Sequence, residues 1–314
     1  MSHVNYFMEV VWLWLDGAMH VVPPARFTSF LRARRRMASL ALRNRFTKRT
    51  ALGDGPVVSL TSFGVRIATV HLAIESIAAG RLRPARLVLW LDDADAVQHP
   101  TPGLVRLAAR GVEIRVCEDD GPHKKYLPYA QSAAHHPRPL VTADDDVLYP
   151  PEWLLGLARA HDRHPGEVLA YRVDRIAVRH GRVLPYAEWS RAVDTTPSPR
   201  NVAVGVKGIL YPAEFVDELR ETGTAFRALA PGSSDVWLHH VALRHRRPVR
   251  AVLGLPIDAI VPMRGGRARR GPSLEHENIA GGRNDRVVAA VLRPDEVAAI
   301  VDDDLGRIEP GVPA

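Results

Sequence analysis

Four short apolar runs, "PVVSLTSF", "ARLVLWL", "VEIRVCE" and "RPLVTADDD", begin about every 26 to 29 residues between positions 56 and 146, a spacing that suits parallel strands joined by crossovers of a dozen or more residues. Between them, "RIATVHLAIESIAAG" sets Ile67, Val70, His71, Ile74, Ile77 and Ala78 at helical spacing, with Gly80 as its stop. "TPGLVRLAARG" predicts a short helix, and "KYLPYAQSAAHH" a partly helical crossover. The chain therefore reads as α/β, with a Rossmann-like half built on right-handed crossovers. In such open sheets ligands bind beyond the carboxyl ends of the strands.

After Trp153 the pattern becomes mixed. "EVLAYRVDRIAVRHGRVLPY" reads as short strands turning at His180 and Gly181, and "NVAVGVKGILYP" as one extended run. "SSDVWLHHVALRHR" reads as a helix and "RPVRAVLG" as a late strand. No internal repeat is present. "RGGRARRGPS" is a Gly- and Arg-rich loop. The organisation expected is an N-terminal arm over 1–50, one main domain over 51–262, and a mobile loop followed by a helical tail over 263–314.

With 46% hydrophobic and 25% charged residues the composition is that of an ordinary globular protein. The single Cys117 excludes an internal disulfide and a thiolate zinc cluster. The net charge of +7 has an address: nine of the 42 Lys and Arg lie between Arg26 and Arg49, where there is no acid. The rest of the chain carries 33 bases against 35 acids. A local basic arm argues against a nucleic-acid-binding fold and for an anionic membrane surface or another acidic partner. Along the arm Phe27, Phe30, Leu31, Met37, Ala38 and Ala41 roughly share a helical face. A solvated helix packed on the domain is the alternative. The preceding "YFMEVVWLWLDGAMHVV" is apolar but interrupted by Glu9, Asp16 and Gly17, and a central carboxylate costs about 3 kcal/mol on insertion scales, so no spanning helix is expected. Nor is a signal peptide, since no positive leader precedes the run. The expected location is cytoplasmic, peripheral on the inner face of the plasma membrane.

At the end of the fourth predicted strand stand Asp144, Asp145 and Asp146. In extended geometry the first and third point one way and the second the other. Two carboxylates about 4 Å apart repel by roughly 4 kcal/mol at an effective dielectric near 20, so they need a counter-charge or a proton. A divalent cation, Mn²⁺ or Mg²⁺, supplies it and prefers carboxylate and phosphate oxygens. A surface turn capping the helix that begins near Pro150, Pro151 and Glu152 is the plainer alternative.

In order along the chain, "VVSLTSFGVR", "GPHKKY", "TADDDVLYPPEW", "GVKGILYP" and "SSDVWLHH" resemble the GT-A-type glycosyltransferases, especially bacterial family 2-like enzymes of polysaccharide and envelope-glycan synthesis. The resemblance covers roughly residues 56 to 255. It implies a GT-A-like Rossmann-type mixed sheet flanked by helices, a nucleotide-sugar donor (UDP first, GDP or dTDP open), a divalent ion, and a glycan or lipid-linked acceptor. By the same resemblance Asp144 and Asp146 are the metal ligands and Asp145 faces the donor ribose or sugar. Ser59, Thr61, Ser62 and Arg66 approach the nucleotide, and Lys125, rather than Lys124, reaches the donor. Asp235 is the base of an inverting displacement. Gly205 and Gly208, whose lack of a Cβ lets backbone approach a sugar, and Trp237 mark the sugar and acceptor vicinity.

Several alternatives stand beside these roles. Asp235 also suits an ordinary N-cap, the glycines a bulge, and the hydroxyls turn chemistry. Relatives often carry another acid before the base, where this chain has Ser234. His239, His240, His276 and Asn278 are late candidates for a metal or phosphate site, and the arginines of 264–270 for a lid over the diphosphate. The lack of long apolar spans and of a Gln-x-x-Arg-Trp motif argues against a membrane-embedded processive synthase and for a single-addition transferase. A nucleotidyltransferase is the rival enzyme, although its glycine-rich basic loop is missing after the first strand. A non-catalytic sugar-nucleotide-binding or membrane scaffold is the rival outside enzymes.

Overall fold

The computed structural model describes residues 11–15, 18–22, 24–255, 259–263 and 278–305. Strands β1 (Val11–Leu15) and β2 (Ala18–Val22) pair as a hairpin, Trp12 opposite Val21. Helix α1 follows (Pro24–Phe46), the longest among the described residues. Then β3 (Val57–Ser62), α2 (Val70–Ala78), β4 (Leu87–Leu91), α3 (Ala94–Gln98), α4 (Pro102–Ala108) and β5 (Glu113–Val116) alternate as predicted. The crossover to β6 (Leu140–Ala143) holds only a 3₁₀ turn at Gly121–Lys125 and the one-turn α5 (Leu127–Ala130).

Beyond the acidic turn, β7 (Val147–Leu148), α6 (Trp153–Arg163), β8 (Val168–Ala170) and β9 (Val173–Arg175) lead to the small hairpin β10 (Val178–Arg179) and β11 (Arg182–Val183). Its corner is formed by His180 and Gly181 with φ of 51° and 71°, the left-handed pair that a tight hairpin turn demands. Strands β12 (Ser190–Arg191), β13 (Asn201–Ala203) and β14 (Ile209–Tyr211) follow. Helices α7 (Ala213–Glu221), α8 (Phe226–Leu229) and α9 (Ser234–Arg244), then β15 (Val249–Ala251) and β16 (Val261–Pro262), complete the body. Two further helices, Arg283–Val291 and Pro294–Leu305, close the described chain.

The main sheet has seven strands in the order β15-β8-β14-β6-β3-β4-β5. Strand β14 runs antiparallel to β6 and β8, while the other pairs are parallel. Strands of this kind are buried on both faces, which is why they read as near-continuous apolar runs. Every residue of β3 is buried and alternates between two cores: Val57 joins the layer with Trp90, Phe215 and Trp237, and Val58 and Leu60 the layer with Ile74, Leu104 and Leu157. The fold is thus the expected α/β mixed sheet flanked by helices.

Two local expectations fail. The run "NVAVGVKGILYP" is not one strand: β13 pairs with β9 in a three-stranded sheet and β14 enters the main sheet. The chain breaks at Lys207 and Gly208, both with positive φ, 77° and 101°, far from the negative φ of extended strand residues. The N-terminal turn before α2 is a separate 3₁₀ segment, Gly64–Ala68. In the arm, α1 buries Ala33, Leu40 and Asn44 and partly covers Met37, so Met37 lies on the inward face, while Ala38 and Ala41 are exposed. The side chains of Phe27 and Phe30, the loop 264–270 and His276 lie outside the described residues.

Candidate active site

At the carboxyl end of β6, beside β14, a cavity of about 340 Å³ opens, lined by Thr142, Ile209 and Tyr211 of the two strands and by Lys125, Asp144, Gly205 and Asp235. Its remaining wall includes Arg172, Asp174, Tyr186 and Asn284. The chain leaves β6 after Ala143, so the triplet sits on a turn rather than within the strand. Asp144 faces the cavity, ion-paired with Lys125, and its Oδ2 accepts the Lys207 N–H at 3.3 Å. Its own N–H donates to the Tyr149 hydroxyl at 2.6 Å.

Asp145 turns the other way and is buried, accepting from Ser62 Oγ at 2.6 Å and Arg66 Nη1 at 3.0 Å. Asp146 is half-exposed, 3.5 Å from the same guanidinium. Desolvation lifts the Asp146 carboxyl above its ordinary value; Asp145 and Asp144 add to this while Arg66 opposes it. Lys125 is held above the usual lysine value: burial would lower it, but Asp144, Asp145 and Asp235 outweigh burial. Lys124, by contrast, is buried and spent on Asp92 and Asp119.

Asp235 is the second residue of α9, not its cap, which is Ser233. The N-cap alternative for Asp235 therefore fails. Its Oδ1 instead accepts the Gly205 N–H at 3.2 Å. Desolvation pushes its pKa up to about 6, with the Gly205 hydrogen bond and Lys125 pulling down and Asp144 and Asp174 pushing up. One loop thus fixes two carboxylates, through the backbone N–H of Lys207 and of Gly205. The approach to α9 is braced by His123, bonded to the Tyr126 hydroxyl and the Ala230 carbonyl and stacked 4.0 Å from Phe226.

Other candidate residues lie elsewhere. Ser59 Oγ accepts from Trp90 Nε1 and Thr61 Oγ1 donates to the Trp90 carbonyl, so both hydroxyls are occupied inside the sheet. Gly208 packs against Trp153, whose Nε1 donates to the Lys207 carbonyl at 2.7 Å. Trp237 is in the core between Phe226 and His240 and does not line the cavity. His239 is buried, and His240 pairs with Glu296. Asn278 lines the cavity and donates to the Gly232 carbonyl.

Sequence reasoning missed Tyr149, Arg172, Asp174, Tyr186 and Asn284. Arg172 grips Asp174 with two of its guanidinium nitrogens, Nε and Nη2, at 2.6 and 3.1 Å. Their i, i+2 spacing in "YRVDR" was the available signal, since such residues share a strand face.

Among the described residues no group of three or more His, Cys, Asp or Glu is placed to enclose a metal. An ion shared with substrate phosphates does not require one, because one or two carboxylates suffice. Asp146, half-exposed and 3.5 Å from Arg66 rather than closely hydrogen-bonded to it, fits that role. Asp144 fits it once Lys125 gives up the oxygen it holds.

No protein-family model and no curated protein matches the sequence. Among solved structures the chain is similar to mannosyltransferase PcManGT from Pyrobaculum calidifontis in complex with GDP-Man and Mn²⁺, at 12% identity over 88% of this chain and 79% of that one, TM-score 0.49. It is also similar to GalNAc-T7 with UDP, GalNAc and Mn²⁺, at 14% identity over 62% and 41% of the two chains, TM-score 0.44. A third is CMP:2-keto-3-deoxy-manno-octonic acid synthetase complexed with CTP, at 11% identity over 63% and 89%, TM-score 0.40. No described helix is long and apolar enough to cross a membrane.

Proposed function

We propose that the protein is a metal-dependent glycosyltransferase that moves a sugar from a nucleotide-sugar donor to an acceptor hydroxyl with inversion, in polysaccharide or envelope-glycan synthesis. The observation that carries this reading is the presence in one cavity of a desolvated carboxylate, Asp235, and of Asp144, the first residue of the acidic turn at the end of β6. Asp235 receives the acceptor's proton as the hydroxyl attacks the anomeric carbon. Gly205 orients it. Lys125, released from Asp144 by the incoming donor, contacts the diphosphate oxygens. Asp145, locked by Ser62 and Arg66, fixes the turn so that Asp144 and Asp146 present their oxygens to Mn²⁺ or Mg²⁺. When bound, that ion supplies Lewis-acid neutralisation of the leaving diphosphate.

Ser59 and Thr61 serve the sheet in this account, and Arg172, Asp174 and Tyr186 line the acceptor end. UDP is the first donor nucleotide to try. The acceptor is a glycan or a lipid-linked sugar, and the arm of residues 1–50 keeps the enzyme peripheral to an anionic membrane on the cytoplasmic side. The test is a thermal-shift panel of nucleotide sugars with and without Mn²⁺, because a ligand of the native state raises stability by mass action. Asp146→Ala is expected to lose the metal-dependent part of the shift and keep the rest. A panel with no responding donor, or release of pyrophosphate in place of sugar transfer, would remove the reading.

A further inference from the structure

Helix α1 has two unlike faces. The inner one is anchored: Arg36 donates to the Tyr149 carbonyl, Arg43 Nε lies 2.8 Å from the buried Glu75, and Asn44 Nδ2 donates to the Gly103 carbonyl at 3.1 Å. The outer one exposes Leu31, Leu42 and Phe46, the last two at 59% and 70%. At 3.6 residues per turn these three fall within about 60° of one another. Exposed Arg32, Arg35 and Arg45 flank or interleave with them, Arg45 lying 5.7 Å from the Phe46 ring, and no acid occurs along the helix. Solubility would be served by the arginines alone. Large apolar side chains among cations that can snorkel are the composition of a helix lying in a lipid interface.

We infer that the outward face of α1 is a docking surface for an anionic bilayer. Leu31, Leu42 and Phe46 enter the boundary between headgroups and acyl chains, and the flanking guanidinium groups meet lipid phosphates. The partner is set by charge complementarity, since an acid-free cationic face matches an anionic surface. This rests on the reading of residues 1–50 as a membrane arm and names the face that does the work, which differs from the inward-turned Met37 side. The docked helix is one residue from the acidic turn, because Arg36 holds the carbonyl of the tyrosine whose hydroxyl accepts the Asp144 N–H. The enzyme would therefore work at the membrane surface, where a lipid-linked acceptor is presented.

The test is co-sedimentation of the full chain with vesicles of phosphatidylcholine, with and without phosphatidylglycerol, in the absence of donor. Wild type is expected to bind only the anionic vesicles. Leu31→Ser/Leu42→Ser/Phe46→Ser and Arg32→Gln/Arg35→Gln/Arg45→Gln should each weaken that binding at least about tenfold, with thermal midpoint and donor-induced shift unchanged. Wild-type binding by either variant overturns the proposal, as does equal binding to neutral vesicles. Loss of binding only on Trp12→Ser/Trp14→Ser would keep the membrane arm but move the contact to the hairpin. A dimer in sedimentation velocity that the triple-serine variant disperses would assign the face to a second copy.

Discussion

A base that works near neutral pH must be ionised and still basic, and Asp235 meets both conditions because desolvation raises it to about 6. The transfer rate at low acceptor concentration is therefore expected to rise with pH up to about 6 and then level off. Asp235→Asn should keep the donor's thermal shift and lower transfer by about 10²- to 10⁴-fold; an unchanged rate would place the base elsewhere. Stability moves in the opposite sense. A carboxyl whose folded pKa lies above its unfolded 3.8 binds its proton more tightly when folded, so it destabilises the fold increasingly as pH rises from about 4 to about 6. The asparagine variant should gain stability over the parent by roughly 2 kcal/mol at pH 7 but not near pH 4, after a discount for water reaching the cavity. Urea unfolding at the two pH values reads this directly, and an equal difference at both would show that Asp235 is not desolvated. The candidate site was legible at this scale where charge is costly: an acidic triplet and an aspartate opening a helix stand out in a string of letters. It was illegible where a polar side chain is consumed by a neighbour distant in sequence. Nothing in "VVSLTSF" says that Ser59 and Thr61 are bonded to Trp90, 31 and 29 positions away, or that Ser62 holds Asp145 across 83.

Among the elements, the loop joining β13 to β14 has the most influence on the site for its length. Its N–H groups fix Asp235 and Asp144, and its path is held by Trp153 on the Lys207 carbonyl. Gly208 is where that path is most constrained: φ is 101°, and an added Cβ would lie 2.7 Å from Trp153 Cζ2. Because a ring packed against Tyr149 in a buried layer cannot simply withdraw, Gly208→Ala is expected to cost about 2 to 4 kcal/mol and to impair transfer more than donor binding. Chemical denaturation and the ratio of the two activities check this; a fully stable variant would mean that the loop relaxes without consequence. The parallel strands were readable because double burial writes them as unbroken apolar runs. The break in "GVKGILYP" was not, since Val-Lys-Gly carries β-compatible residues on both sides and only Lys207's positive φ reveals the turn.

Across the whole molecule, the first of the two C-terminal helices completes the wall of the cavity through Asn284, and the second packs behind it on α9. Val287 and Val291 belong to the same core as Trp237 and Phe215. Asn284 accepts from Ser233 at 2.6 Å beside Asp235, the Asp285 carboxylate accepts the Tyr186 N–H at 2.7 Å, and Glu296 is the buried partner of His240 on α9. A detachable tail would make only rim contacts. These reach the helix that carries the proposed base and the segment that carries Tyr186, so the sequence-based division at residue 263 cuts through the packing that positions the site. We propose that the catalytic unit extends to about residue 303, and that ending the chain after Gly282 exposes Val236 and Trp237 and leaves His240 without its carboxylate. Removing one partner of a buried pair and opening a core each cost several kcal/mol, against a total stability of about 5 to 15 kcal/mol for a domain. The truncated chain is therefore expected to unfold well below the parent in calorimetry, or to lose its cooperative transition. A midpoint within a degree or two of the parent, with donor binding intact, would restore the tail to a peripheral role.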